Sequence, residues 1–202
     1  MSIQRAQPIL LWSLSVVLVF ACPTHASGVL DQYNIVPVNG LFVGMSRLDP
    51  VPQFKRAQTF RVGMSGILDH IDILIPQGET LPVMMRIRRT SAGLPTDDVV
   101  ATTTSVSVNA DGWTSFDLLP SHLAVRLDDV WAFEPLIAEG TSSSWTGGGP
   151  YSRGVDAIWN SPAGPWRVSP FSPDGGRFRT YLLRDATPTQ VTSWGRVKGL
   201  YH

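Results

Sequence analysis

The sequence predicts an all-β protein, a sandwich or barrel of short strands behind an export signal. Three observations predict it. First, Val, Thr, Ser, Gly and Pro are plentiful, while Glu occurs only at Glu79, Glu134 and Glu139, so runs of helix-forming charged residues are missing. Second, apolar residues alternate with polar ones in many short runs separated by Gly, Pro and Asn turn signals. No stretch keeps a 3.6-residue apolar period. Third, the chain has 202 residues, which suits one domain with one sizeable core. Lys and Arg (16) balance Asp and Glu (16), and charged residues are only 16% of the chain. That argues against a nucleic-acid binder, which carries a basic face, and against a polybasic membrane-surface protein.

The N-terminus reads as a signal peptide over residues 1–26. Arg5 supplies positive charge, Ile9 to Ala21 is an apolar core, and Thr24-His25-Ala26 offers small residues at a cleavage site. The apolar run is short for a membrane span, so none is expected in the mature chain. Cys22 is the only cysteine, and cleavage after Ala26 removes it, leaving a chain that needs no oxidative folding. Val19-Phe20-Ala21-Cys22 loosely resembles a lipoprotein signal, which would anchor the protein through a lipid on Cys22; Phe20 fits that pattern poorly.

Residues 27–54 form an N-terminal segment with turn signals at Asn39-Gly40 and Asp49-Pro50 and room for edge strands. The main domain follows over 55–184. Gln58, Phe60 and Val62 alternate with Thr59 and Arg61. Ile71, Ile73 and Ile75 share one face, opposite His70, Asp72 and Leu74. Val83, Met85 and Ile87 face the core, and Arg86 and Arg88 the solvent. Ser91 to Asp98 reads as a turn-rich loop, Val99 to Val108 as extended chain, and Trp113 to Leu118 as a short strand. Val130 to Ile137 is a further strand, Gly140 to Gly176 is irregular and Gly-rich, and Phe178, Thr180 and Leu182 line one face of the last strand. Residues 185–202 read as a flexible tail.

The ordered phrases Gln58-Thr59-Phe60, Ser65 to Ile75, Thr90 to Thr96, Gly112 to Leu118, Trp131 to Leu136 and Phe178 to Leu182 resemble a family of secreted bacterial β-sandwich domains. These occur in surface proteins of the choice-of-anchor and PEP-CTERM types, mostly without a defined function. The resemblance covers about residues 55 to 183 and implies an antiparallel jelly-roll sandwich akin to non-catalytic carbohydrate-binding modules. Gln190 to His202 departs from the pattern, having no Pro-Glu-Pro motif, apolar helix or arginine cluster. A free secreted or periplasmic protein is therefore expected.

The candidate ligand site is the irregular stretch with Trp145, Tyr151, Trp159 and Trp166. Sugar C–H faces stack on aromatic rings, and Arg153, Asp156 or Asn160 would serve their hydroxyls. The alternative is that these rings cap the sandwich core, as Trp113 and Trp131 are expected to do from within strands. No cofactor is expected, although Asp97-Asp98, Asp128-Asp129 and Asp174-Gly175-Gly176 are loop carboxylates of the kind that hold a structural calcium. None has the spacing of a known calcium loop. His70 and Asp72 share a strand face and are two ligands without a third. Glu134 and Glu139 read as surface charge, and Gly147-Gly148-Gly149-Pro150 lacks the Lys of a phosphate loop. Catalysis is not expected. The predicted function is glycan binding at the cell envelope or outside it; the alternatives are a structural or adhesive surface protein contacting other proteins, and a hydrolase with an atypical site.

Overall fold

The computed structural model describes residues 28–48, 54–76, 81–109, 112–138, 141–160, 164–170 and 174–184. The expected signal peptide over 1–26 with Cys22, Glu139 and the expected tail over 185–202 lie outside the described residues. The described chain is all-β. Its strands are β1 (Val29–Asn34), β2 (Pro37–Gly44), β3 (Ser46–Arg47), β4 (Phe54–Arg61) and β5 (Gly66–Leu74). They continue with β6 (Val83–Ser91), β7 (Leu94–Thr102), β8 (Trp113–Asp117), β9 (Ala124–Val125) and β10 (Val130–Ile137). The last are β11 (Ser144–Pro150), β12 (Asp156–Asn160), β13 (Arg167–Val168), β14 (Asp174–Gly176) and β15 (Phe178–Leu183).

These strands form three sheets. One has the order β1-β15-β5-β8, with β9 beside β5. The largest runs β13-β12-β4-β10-β6-β7, and the third is β14-β11-β2. Neighbours pair antiparallel except β3, which lies parallel to β10. The two larger sheets face each other across one core. Ile71, Ile73, Phe116 and Phe178 meet Phe60, Met85, Ile87 and Phe133 there, with Val43 and Trp145 of the third sheet. Alternation puts them inside: in β15, and in β5 from His70 onward, buried side chains alternate with partly exposed ones.

The outer face of the largest sheet is covered as well. Ala57, Ala132 and Ala157 form a floor of small side chains, and the Trp166 indole lies on it with Trp159 and Leu94 alongside. This cover corrects the reading of Arg88 and Glu134 as solvent-facing. Both are fully buried. The Arg88 Nε donates to Glu134 Oε2 at 2.7 Å, and Nη1 donates to the Thr96 carbonyl at 3.1 Å. A charge enters that layer only because its partner enters with it.

Two further differences have local causes. The predicted loop over 91–98 is a two-residue hairpin, with Ser91 paired to Leu94 and Ala92 and Gly93 both at positive φ (51° and 78°). Such turns match the strand twist, so β7 can begin at Leu94. The run Gly147-Gly148-Gly149 is a packing device in β11. A Cβ at these positions would sit 2.3 Å from Leu41, 2.6 Å from Asn34 and 3.2 Å from Val36. The Asn34 amide then donates to the carbonyls of Gly149 (3.0 Å) and Gly176 (3.2 Å), tying β1 to the third sheet.

Two stability outcomes follow. Ala92→Asn should raise stability by about 0.5–1 kcal/mol, because Asn tolerates the left-handed conformation that this turn requires. Phe133→Ala should lower it by about 3–5 kcal/mol through loss of core contacts and the cavity left behind. Urea unfolding of the two variants against wild type measures both.

Candidate functional site

The four aromatic residues singled out from the sequence do not form one surface. Trp145 is 1% exposed, edge-on to Phe133 at 5.2 Å, with the backbone of Gly176 pressed against its indole. Tyr151 is 7% exposed and edge-on to Phe178 at 5.0 Å. Trp166 is 7% exposed on the alanine floor, 5.6 Å from the Arg88 guanidinium carbon. Trp159 is half-buried beside it, with the Lys55 ammonium 4.3 Å from its ring. Trp145, Tyr151 and Trp166 therefore cannot offer a ring face to a sugar, which corrects their expected role. Their indole and phenol surfaces are spent on packing.

One of them nevertheless lies against a cleft. Asp31, Tyr33, Ile35 and Val36 on one side and Pro150 to Arg153 on the other enclose about 410 Å³. Tyr151 lines its base, and its hydroxyl donates to the Gln32 side-chain oxygen at 3.3 Å. Burial pushes the Tyr151 phenol well above its ordinary value, so it stays a donor. Tyr33 stands at the cleft with 57% of its surface exposed. Arg153 reaches Asp128 only at 4.0 Å and keeps much of its guanidinium in solvent. Asp31 accepts the Gly63 N–H at 2.9 Å. Burial raises its carboxyl above the ordinary range, against the lowering effects of that N–H, Gln32 and Arg153.

A second cleft of about 430 Å³ lies between the β6–β7 turn and the loop before β10, lined by Arg89, Thr90, Gly93, Asp128, Asp129 and Trp131. Its one aromatic, Trp131, is 6% exposed and has the Arg89 guanidinium 5.4 Å from its ring. It offers no free ring, so the Tyr33 cleft is the better match to a saccharide.

Three of the loop carboxylates considered for calcium are engaged separately. Asp98 pairs with Arg89 at 3.0 Å, Asp97 faces Lys55 at 3.9 Å, and Asp129 accepts the Arg126 N–H at 2.9 Å. Among the described residues no three His, Cys, Asp or Glu side chains come together in a way that could hold a metal ion. His70 takes its nearest carboxylate from Asp69 (Nδ1 to Oδ2, 2.8 Å) and lies 3.9 Å from Asp72. A register shift beside Asp69 brings it to the same face as His70.

That face is the outer side of the β1-β15-β5-β8 sheet, and it is open. Tyr181 stacks on His70 at 4.1 Å, Tyr33 stands opposite Arg179 in the ladder, and Trp113 lies half-buried under Arg179. Trp113 is thus a surface residue of this sheet and not the core residue expected. The sequence carried a signal for this. Alternation gives Phe178, Thr180 and Leu182 to one face, so Arg177, Arg179 and Tyr181 fall on the other. Nothing in the mixed segment before residue 55 singles out Asp31 or Tyr33.

Comparison of the chain with protein-family models, curated proteins and solved structures found no match. No helix among the described residues is long and apolar enough to cross a membrane.

Asp31 yields a signed prediction. A raised carboxyl supports the fold in its protonated form, fully below its unfolded value of 3.8, and that support is lost as pH rises through the folded value. Asp31→Asn keeps an oxygen for the Gly63 N–H and carries no charge to bury. It should melt higher than wild type at about pH 7 and level with it at about pH 3. A lower melting temperature at neutral pH would show that the carboxylate's hydrogen bonds outweigh its burial.

Proposed function

We propose that this protein is an exported, non-catalytic jelly-roll β-sandwich, a single domain that binds a glycan of the cell envelope or extracellular space. The observation that carries the reading is the Tyr33 cleft, where an exposed ring, a concavity of about 410 Å³ and the polar groups of Asp31, Ser152 and Arg153 coincide. Ring stacking supplies affinity and the polar groups supply orientation. Ile35, Val36 and Pro150 give the apolar lining such sites use. Asp31 is the one carboxylate lining this cleft, whereas glycoside hydrolysis takes two that face each other. The crossing strand order and two sheets facing across one core support the sandwich, and the resemblance noted above supports the jelly roll. The leader-like start with Arg5 and Ile9 to Ala21 supports a secreted or periplasmic location.

A second reading, an adhesive protein that contacts other proteins, has its own support. Val29, Leu30, Ile35, Val36 and Phe42 are exposed along β1 and β2 and the turn between them, and each strand ends its sheet. Apolar surface beside an open strand edge favours association.

A glycan array and pull-down on insoluble polysaccharides separate the two. Tyr33→Ala and Arg153→Gln should each weaken glycan binding about five- to tenfold while stability stays within about 0.5 kcal/mol of wild type, since both side chains are exposed. Trp145→Ala should instead destabilise the fold by about 3–5 kcal/mol. Glycan binding that ignores Tyr33→Ala would remove the cleft from consideration. Concentration-dependent self-association in sedimentation, with no glycan retained, would favour the adhesive reading.

A further inference from the structure

The open face beside Tyr33 holds two arginines whose arrangement calls for an acceptor. Arg177 and Arg179 alternate with the inward-pointing Phe178 and Thr180 at the start of β15. Both approach the Trp113 indole of β8, with guanidinium carbons 4.0 Å (Arg179) and 5.7 Å (Arg177) from the ring. Stacking on an indole fixes a guanidinium plane and leaves its in-plane N–H groups to donate outward.

Neither arginine has an ion pair among the described residues. Three other arginines have close acid partners: Arg56 with Asp156, Arg88 with Glu134 and Arg89 with Asp98. Asp72 stands directly opposite Arg179 in the ladder without forming an ion pair with it, and its Oδ1 lies 3.9 Å from His70 Nε2. Arg177 Nε is buried among the described residues, so an incoming acceptor would meet the terminal N–H groups of this guanidinium. The face is therefore polarised. Asp69 and Asp117 stand beside His70 at one end, Asp72 is level with Arg179, and Arg177 lies beyond it at the other end.

Tyr33 stands in register with Arg179. A saccharide chain that leaves the cleft across Tyr33 meets Arg179 next, and then Arg177. We propose that the Arg177–Arg179–Trp113 cluster is an oxyanion subsite that makes the protein selective for acidic glycans, those bearing uronate carboxylates or sulfate esters. This inference rests on the glycan-binding reading and adds the charge of the ligand to it. Guanidinium groups take both oxyanions through paired N–H donors.

The test uses two matched pairs of probes: polygalacturonate against its fully methyl-esterified form, and dextran sulfate against dextran. Affinity electrophoresis of the full chain measures retardation by each. The acidic member of at least one pair should bind about tenfold more tightly than its neutral partner, with the preference shrinking as salt is added. Preference within the first pair alone identifies a uronate, and within the second alone a sulfate ester. Arg177→Gln with Arg179→Gln should abolish the preference, whereas Arg86→Gln on the other sheet should leave it unchanged. Thermal melting checks that the double variant is folded, and Trp113 emission should shift on titration only in wild type. Equal binding of both members of each pair, sensitive to Tyr33→Ala, overturns the acidic subsite and leaves the cleft standing. Acid preference that survives in the double variant also overturns it. Wild type that binds none of the four probes, and no glycan on an array, overturns both.

Discussion

The Phe133 ring is the contact on which the rest of the structure depends. It meets Phe60 at 6.1 Å within its own sheet, Phe178 at 5.1 Å across the core and Trp145 at 5.2 Å from the third sheet. Three sheets that share few backbone hydrogen bonds are joined there by aromatic edges and faces. Tilted and edge-on contacts of this kind are favourable beyond the area they bury and fix relative orientation. Once β10 places Phe133 at the centre, the third sheet must bring a large side chain to it, and Trp145 is that side chain. Gly176 then has to be glycine, because the indole occupies the place of any Cβ.

The same constraint decides where a ligand is able to sit. The core claims Trp145 and most of Tyr151. The outer layer of the largest sheet claims Trp166, and with it the buried Arg88–Glu134 pair. What remains for solvent is asymmetric. Among the described residues, one large sheet is covered on both sides and the other only within. Its outer face keeps Tyr33, Tyr181, Trp113 and two arginines accessible. The cleft and this face meet at Tyr33, so the aromatic and charged groups left over from packing lie side by side.

The strands were legible where one face is buried and the other wet. The alternation around Ile71 and Ile73, and around Phe178 and Leu182, appears in the fold as it reads in the sequence. It fails where both faces are covered. Around Arg88 and Glu134 a charged residue at an outward position reads as solvent-facing, and only the remote Trp166 segment makes it buried. The site was legible only in part. Aromatics in a Gly-rich stretch read equally as binding rings or as core. The deciding fact is the close approach of glycines to rings, as at Gly176, and that is a three-dimensional match without local signature. Tyr33 was missed because β1 is short and irregular, with a register shift between Leu30 and Gln32 that breaks its alternation.

The pairing of β1 with β15 sets the order in which the protein is completed. Val29 stands opposite Leu182, and Asn34 opposite Phe178. The first described strand thus waits for the last, and until the last is made β5 also lacks its neighbour on that side. Closing so long a loop is entropically slow, and it comes late in folding. A chain emerging from the ribosome holds an incomplete core until residue 183 is free, with Phe133 still lacking the Phe178 ring. The fold is therefore closed last where the first and last described strands meet, after the pairings between strands nearer in sequence.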